Sequence, residues 1–243
     1  PARGVACKKE KGDMKKLGLV GGTGPESTMV YYRELNKRIH EKTNGEEFPE
    51  IVIESVNLYK ALGMVASENY GGLEEYLSKA VSNLEGCGAD IVALTAGTMH
   101  VVFEELESRA KVPFISIPKT VAEFAVSKGY RKVGMLGTIF SMEKEYLSKA
   151  FVKKGIEVVV PSAADRVLVN ERISKELEYG IVKETSTREL ISVIEKMKNE
   201  AGIEAVILGC TELPLALNKD NCPVDCLDIM EIHIQKLVGL MAE

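Results

Sequence analysis

The sequence predicts an α/β protein of two similar lobes, each a short parallel sheet flanked by helices. Three observations carry this. Buried apolar runs of four or five residues alternate with amphipathic stretches, the pattern of a parallel sheet covered on both faces. The second half of the chain repeats the first. The same small polar residues recur where the apolar runs end.

The elements follow in order. Leu17 to Gly21 reads as a strand and Glu26 to Glu41 as a helix. Ile51 to Val56 is a strand. Gly72 to Gly86 is a helix, because Leu73, Tyr76, Leu77, Ala80 and Leu84 fall on one face. Ile91 to Leu94 is a strand, Met99 to Ala110 a helix and Phe114 to Ile117 a strand. Ile117-Pro118 leads into a helix through Lys128, since proline suits a first helical turn. Val133 to Leu136 begins the cycle again, and Ile229 to Met241 is a last helix expected to pack back on the first lobe.

Lys15-Lys16-Leu17-Gly18-Leu19-Val20-Gly21 matches Arg131-Lys132-Val133-Gly134-Met135-Leu136-Gly137 at an offset of 131 − 15 = 116. The segment around Ala96 matches that around Cys210 at 210 − 96 = 114. Each is followed by a proline-led strand, Val112-Pro113-Phe114 and Cys222-Pro223-Val224. Two pairs in one order at nearly one offset indicate internal duplication. The expected division is an extension over 1–13, a first lobe of 14–117 with 228–243, and a second lobe of 118–227.

Composition narrows the function. Of 243 residues, 45% are hydrophobic, enough for a sizeable core. The net charge of −5, with no basic cluster, argues against nucleic acid, which needs concentrated Lys and Arg. No apolar run approaches the ~20 residues of a membrane span. Pro1 to Asp13 is polar, without the apolar stretch of a secretion signal. Five scattered cysteines (Cys7, Cys87, Cys210, Cys222, Cys226) do not form a disulfide framework and point to a reducing, cytoplasmic compartment. Cys222 and Cys226, spaced C-x3-C ahead of His233, hint at a metal clip, but without a second pair they read as loop and core thiols. No metal, nucleotide or pyridoxal cofactor is implied.

In open parallel sheets the ligand sits beyond the carboxyl ends of the strands. Four such ends carry Gly21-Gly22-Thr23-Gly24, Thr95-Ala96-Gly97-Thr98, Gly137-Thr138-Ile139-Phe140-Ser141 and Gly209-Cys210-Thr211-Glu212. Gly22 and Thr23 lie in a turn that lacks both G-x-x-x-x-G-K-[ST] and G-x-G-x-x-G, and suits a carboxylate or other small anion at a helix N-terminus. Thr98, Thr138, Ser141 and Thr211 offer hydroxyls to the same anion, although each alone fits a cap or turn. Cys210 is the candidate acid/base. Its thiolate would be stabilised by turn N–H groups, and Glu212 or His100 would hold or move its proton. His100 fits catalytic use and a structural hydrogen bond equally; His40 and His233 read as surface and packing residues.

These residues resemble the aspartate/glutamate racemase family, amino-acid racemases that work without pyridoxal phosphate. The resemblance runs from Met14 over nearly the whole chain. It rests on Gly21-Gly22-Thr23-Gly24-Pro25-Glu26-Ser27-Thr28, on Thr98-Met99-His100 in the family's Cys-Asn-Thr-x-His motif, on Gly137-Thr138 with Ser141-Met142, and on Gly209-Cys210-Thr211-Glu212. The resemblance implies two α/β lobes with a site between them, a small amino-acid or carboxylate substrate, and a homodimer. It also implies two thiols on opposite faces of the substrate α-carbon. Cys210 is one; the other falls on Ala96, which has no proton to move, and the motif's asparagine falls on Gly97. Some relatives carry threonine for the first cysteine, and Thr95 is adjacent, but neighbouring residues of an extended segment point oppositely. The basic residues of aspartate-specific members fall on the loop at Asn57-Leu58 and on Leu168, with Arg166 nearby but displaced. An apolar or neutral substrate side chain is therefore expected.

Three functions follow. The first is a racemase or epimerase with Cys210 as one base and Thr95, His100 or water as the second. The second is an isomerase or lyase of the same superfamily needing one thiol. The third is a binding protein without turnover.

Overall fold

The computed structural model describes residues 14–243. The expected extension, Pro1 to Asp13, lies outside the described residues.

The first sheet has the order β2-β1-β3-β4, all parallel: β1 (Leu17–Gly21), β2 (Ile51–Ser55), β3 (Ile91–Leu94) and β4 (Phe114–Ile115). The second repeats it as β6-β5-β7-β8: β5 (Lys132–Leu136), β6 (Glu157–Val159), β7 (Ala205–Leu208) and β8 (Asp225–Asp228). β1 and β3 are buried at every position because helices cover both faces. In the first half these helices are α1 (Pro25–Lys42), α2 (Leu58–Ala66), α3 (Tyr70–Gly86) and α4 (Phe103–Arg109). α5 (Ile117–Ser127) leads into the second half, which carries α6 (Ile139–Glu143), α7 (Ser148–Val152), α8 (Ala163–Lys175) and α9 (Glu184–Ala201). α10 (Ile229–Met241) ends the chain.

Local chemistry sets several boundaries. The expected strand to Ile117 stops at Ile115, because Ser116 caps α5 by accepting from the Lys119 N–H, and Pro118 fits the first turn. The expected helix from Met99 divides into a 3₁₀ segment, Thr98–Val102, and α4. Asn57-Leu58, expected in a loop, opens α2: the Asn57 side chain caps it by accepting from the Lys60 N–H at 2.9 Å.

Four apolar clusters fill the faces of the sheets. α5 joins the core under β5 and β7, where Val121 and Ala125 meet Val133 and Met135. α10 serves both halves. Ile229 and Ile232 join that same cluster, whereas Ile234, Leu237 and Met241 pack with Leu17, Leu19, Tyr31 and Leu35 of the first lobe. The Tyr31 hydroxyl also meets His233 Nδ1 at 2.7 Å, and His233 Nε2 meets the Ile115 carbonyl at 3.2 Å. This removes His233 from any metal clip with Cys222 and Cys226; among the described residues no His, Cys, Asp or Glu group could hold a metal ion. No helix of the described residues is long and apolar enough to cross a membrane.

The Leu237→Ala variant should lose about 2–5 kcal/mol, the cost of a fully buried leucine in a core that cannot close over the cavity. Val126→Ala, on the exposed side of α5, should change stability by less than about 0.5 kcal/mol. Urea titration of both tests whether the last helix is integral; equal small shifts would show that it is not.

Candidate active site

The matched strand orders define the site. Ala96 stands two residues beyond the end of β3 at Leu94, and Cys210 two beyond the end of β7 at Leu208. β3 lies beside β1 and β7 beside β5, so the two residues occupy equivalent places in their sheets. The turns after β1 and β5 flank them.

In the first lobe the turns are tied by one hydroxyl. Thr28 Oγ1 receives the Gly22 N–H at 3.0 Å, donates to the Gly24 carbonyl at 3.0 Å and meets Thr95 Oγ1 at 3.2 Å. Gly22 has φ +82° and sits against the Val56 carbonyl, so a side chain there would be both strained and obstructed. In the second lobe Thr138 caps α6, meeting Ser141 Oγ at 2.9 Å, and Gly137 leaves the space that Ser141 occupies.

The lobes touch at the site. Ser27, from the first turn of α1, donates to Thr211 Oγ1 at 3.1 Å, linking the β1 turn to the residue after Cys210. Tyr146 lies beside Thr98 of one lobe and Ser141 of the other, within electrostatic reach of Cys210. Phe140 packs on the core cluster containing Ala96 and Met99.

Cys210 and Glu212 form a pair. The Cys210 thiol donates to Glu212 Oε2 at 2.8 Å, and the Thr211 hydroxyl donates to Glu212 Oε1 at 2.8 Å. Burial pushes the thiol well above its ordinary pKa, and the Glu212 charge pushes it further. The resting group is therefore a thiol, not a thiolate.

The other candidate bases are occupied. Thr95 is fully buried, and besides Thr28 its hydroxyl donates to the Val20 carbonyl at 3.3 Å, so the turn does not rotate it into the cleft. His100 spends both ring nitrogens on the backbone. Nδ1–H donates to the carbonyls of Ala96 (3.1 Å) and Gly97 (3.2 Å), and Nε2 accepts the Ile117 N–H at 3.1 Å. Burial lowers its pKa to about 4, which keeps the ring neutral. Its work is to fasten the Ala96–Gly97 turn to the start of α5; Glu212, not His100, meets the thiol. Gly97 itself starts the 3₁₀ segment in ordinary right-handed geometry.

Thr23 is buried, and its hydroxyl has no hydrogen-bond partner. Leu168 packs against the second-lobe core, and Arg166 is held by Glu143 at 3.7 Å. Sequence reasoning missed two contributors. Ser27 was visible inside the glycine-rich segment as an α1 residue. Tyr146 had no signal, because it lies in the irregular stretch between α6 and α7.

Two pseudo-symmetric α/β lobes with a thiol at one of two matched strand ends define the racemase class of fold. A sequence model of the Asp/Glu/Hydantoin racemase family matches residues 20–237, and the chain belongs to that family. A solved structure of an aspartate racemase homologue from Pyrococcus horikoshii is 39% identical, with a TM-score of 0.86 over 95% of this chain and all of that one. A candidate Asp/Glu racemase from Yersinia pestis is 32% identical, with a TM-score of 0.90 and the same coverage. The broad-specificity amino-acid racemase RacX of Bacillus subtilis is 22% identical over 87% of this chain and 92% of its own length.

The buried neutral histidines give a pH prediction. His100 at about 4 and His233 at about 3 both lie below the unfolded value of 6.5. Their contribution to stability is complete above pH 6.5 and is lost as the pH falls from there through 4. Between pH 6.5 and 4.5 each should remove roughly 2–3 kcal/mol. Urea unfolding at pH 7, 5.5 and 4.5 reads this directly, and a flat profile over that interval would disprove the neutral, buried assignment.

Proposed function

We propose that this protein is a cofactor-independent amino-acid racemase or epimerase in which Cys210 serves one face of the substrate α-carbon. The observation that carries the reading is the Cys210–Glu212 hydrogen bond at the end of β7, opposite in the duplication to a strand end that carries Ala96. The substrate carboxylate is held by the Gly22-Thr23 turn and by the hydroxyls of Thr98, Thr138 and Ser141, while Thr211 keeps its proton on Glu212. The unpartnered Thr23 hydroxyl supports this, since a buried donor without an acceptor is costly until one arrives.

The chemistry begins from a thiol. To remove the α-proton, Cys210 first passes its own proton to Glu212, 2.8 Å away. An ammonium group of the substrate arriving beside the sulfur lowers its pKa by about 1–3 units and offsets the Glu212 charge. The thiolate then takes the α-proton on its own face. In the other direction the thiol donates to a carbanion. Ala96 can neither take nor give a proton, and Thr95 and His100 are engaged elsewhere, so the second face is left to water. Neutral side chains at Leu58 and Leu168 favour substrates other than dicarboxylates. Family membership suggests a homodimer, and the scattered cysteines suggest a reducing, cytoplasmic compartment.

The alanine favours a second reading, a one-thiol isomerase or lyase, and one experiment separates the two. In D2O, the α-proton of one enantiomer of a neutral amino acid should exchange much faster than racemisation proceeds. Cys210→Ala should slow exchange by about 10²-fold or more. Ala96→Cys should raise the ratio of racemisation to exchange. Exchange unaffected by Cys210→Ala would sink the mechanism; binding without exchange would leave a binding protein.

Because the proton passes from the Cys210 thiol to Glu212 within one pair, no proton is lost to solvent, and exchange by the wild type should be level through neutrality. A rate that climbs about tenfold per pH unit there would show that the thiol ionises to solvent and that Glu212 does not take its proton.

A further inference from the structure

A cavity of about 550 Å³ lies apart from Cys210, between the α4 and α7 sides of the two lobes. That volume is in the range of small-molecule sites. Val101, Phe103, Pro118, Ala150, Tyr70 and Tyr146 give it an apolar lining.

Its rim is charged, and the charges divide into spent and unspent groups. Lys149 and Lys153 both bind Glu104, at 2.8 and 2.7 Å, and Lys144 binds Glu68 at 2.8 Å. Lys119 binds Glu107. Glu105, Glu123, Glu145 and Lys154 also line the cavity and make no ion pair among the described residues. The lining as a whole carries five lysines and four glutamates around an apolar floor, so both signs of charge face the cavity. A ligand with a cationic end, an anionic end and an apolar body finds a partner for each.

We propose that this cavity is a second binding site, for a zwitterionic ligand of the amino-acid or short-peptide class with an apolar or aromatic side chain. Its ammonium end meets the free glutamates, its carboxylate meets Lys154, and its side chain lies against Phe103 and Tyr146. The site does not depend on the catalytic reading, but it is positioned to influence the cleft. Tyr146 lines the cavity and lies beside Thr98 and Ser141, and His100 lines it while holding the Ala96–Gly97 turn. A ligand that shifts either ring moves residues of the cleft.

The test uses the full chain as wild type and as Cys210→Phe, whose ring obstructs the cleft and leaves the cavity open. Calorimetric titration with the dipeptide Phe-Phe should show saturable binding. Its N-acetylated, C-amidated form, lacking both charges, should bind about tenfold or more weakly. The surface variant Lys154→Glu should lose binding to a similar degree without altering the fold by circular dichroism, and Ala150→Trp, which fills the cavity, should abolish it. The proposal is overturned if Phe-Phe fails to bind up to its solubility limit, if Cys210→Phe removes its binding, or if Lys154→Glu and Ala150→Trp both bind it like the wild type. None of these outcomes bears on α-proton exchange by the unmodified protein, so the two readings fail separately.

Discussion

The cleft depends on one constraint, the parallel pairing of β3 beside β1 and of β7 beside β5. Parallel strands need crossover helices, and those helices bury both faces of each sheet. No side chain of the sheet interior is then free for chemistry. The carboxyl ends are where the chain leaves the sheet and exposes backbone and side chains together. Residues two beyond Leu94 and two beyond Leu208 therefore become equivalent positions by geometry, whatever the side chains there. The Thr28 hydroxyl and the His100 ring then fix the first-lobe turns, and Ser27 joins them to the Cys210 segment.

The same arrangement sets the protonation of Cys210. Desolvation favours its neutral form, and Glu212 adds repulsion to any thiolate. The pair is a poor preformed base and a good proton donor until a cation enters. On the proposed reading, ion formation is tied to substrate arrival, because the substrate ammonium supplies the missing countercharge. This also explains why the neighbouring Thr211 hydroxyl matters. Thr211 donates to Glu212, so that carboxylate accepts both a hydroxyl and the thiol proton without leaving its place.

The duplication, the parallel sheets and the strand-end clustering were all legible in the sequence, because each follows from short-range pattern. Gly22 and Gly137 could be read as turn residues for the same reason. What was not legible depended on who meets whom. His100 could be base or brace from its position alone; only the Ile117 N–H and the two carbonyls, one on each side of the ring, decide for brace. Thr95 likewise needed Thr28 and Val20 to be seen around it. Tyr146 comes from irregular chain, where no periodicity predicts direction, so its reach into the cleft left no trace in the pattern. The end of β4 at Ile115 was missed because a cap at Ser116 outweighed the β-preference of the two isoleucines around it.

Ala96 can be weighed against this background. A thiol at position 96 would stand over the carbonyl that His100 holds, in a turn already fixed by Thr28 and Thr95. On the proposed reading, the turn that would carry a second proton-transfer group is held in place and the group is absent. Ala96 is buried, so the loss leaves no opening into the first-lobe core and no hydroxyl or amine to stand in. On the proposed reading, such a protein keeps substrate binding and proton transfer on the Cys210 face. Inversion requires delivery of a proton to the opposite face by water, which has no fixed donor to orient it. The asymmetry between the two strand ends thus separates proton exchange from racemisation in a scaffold whose duplication would otherwise make them equal.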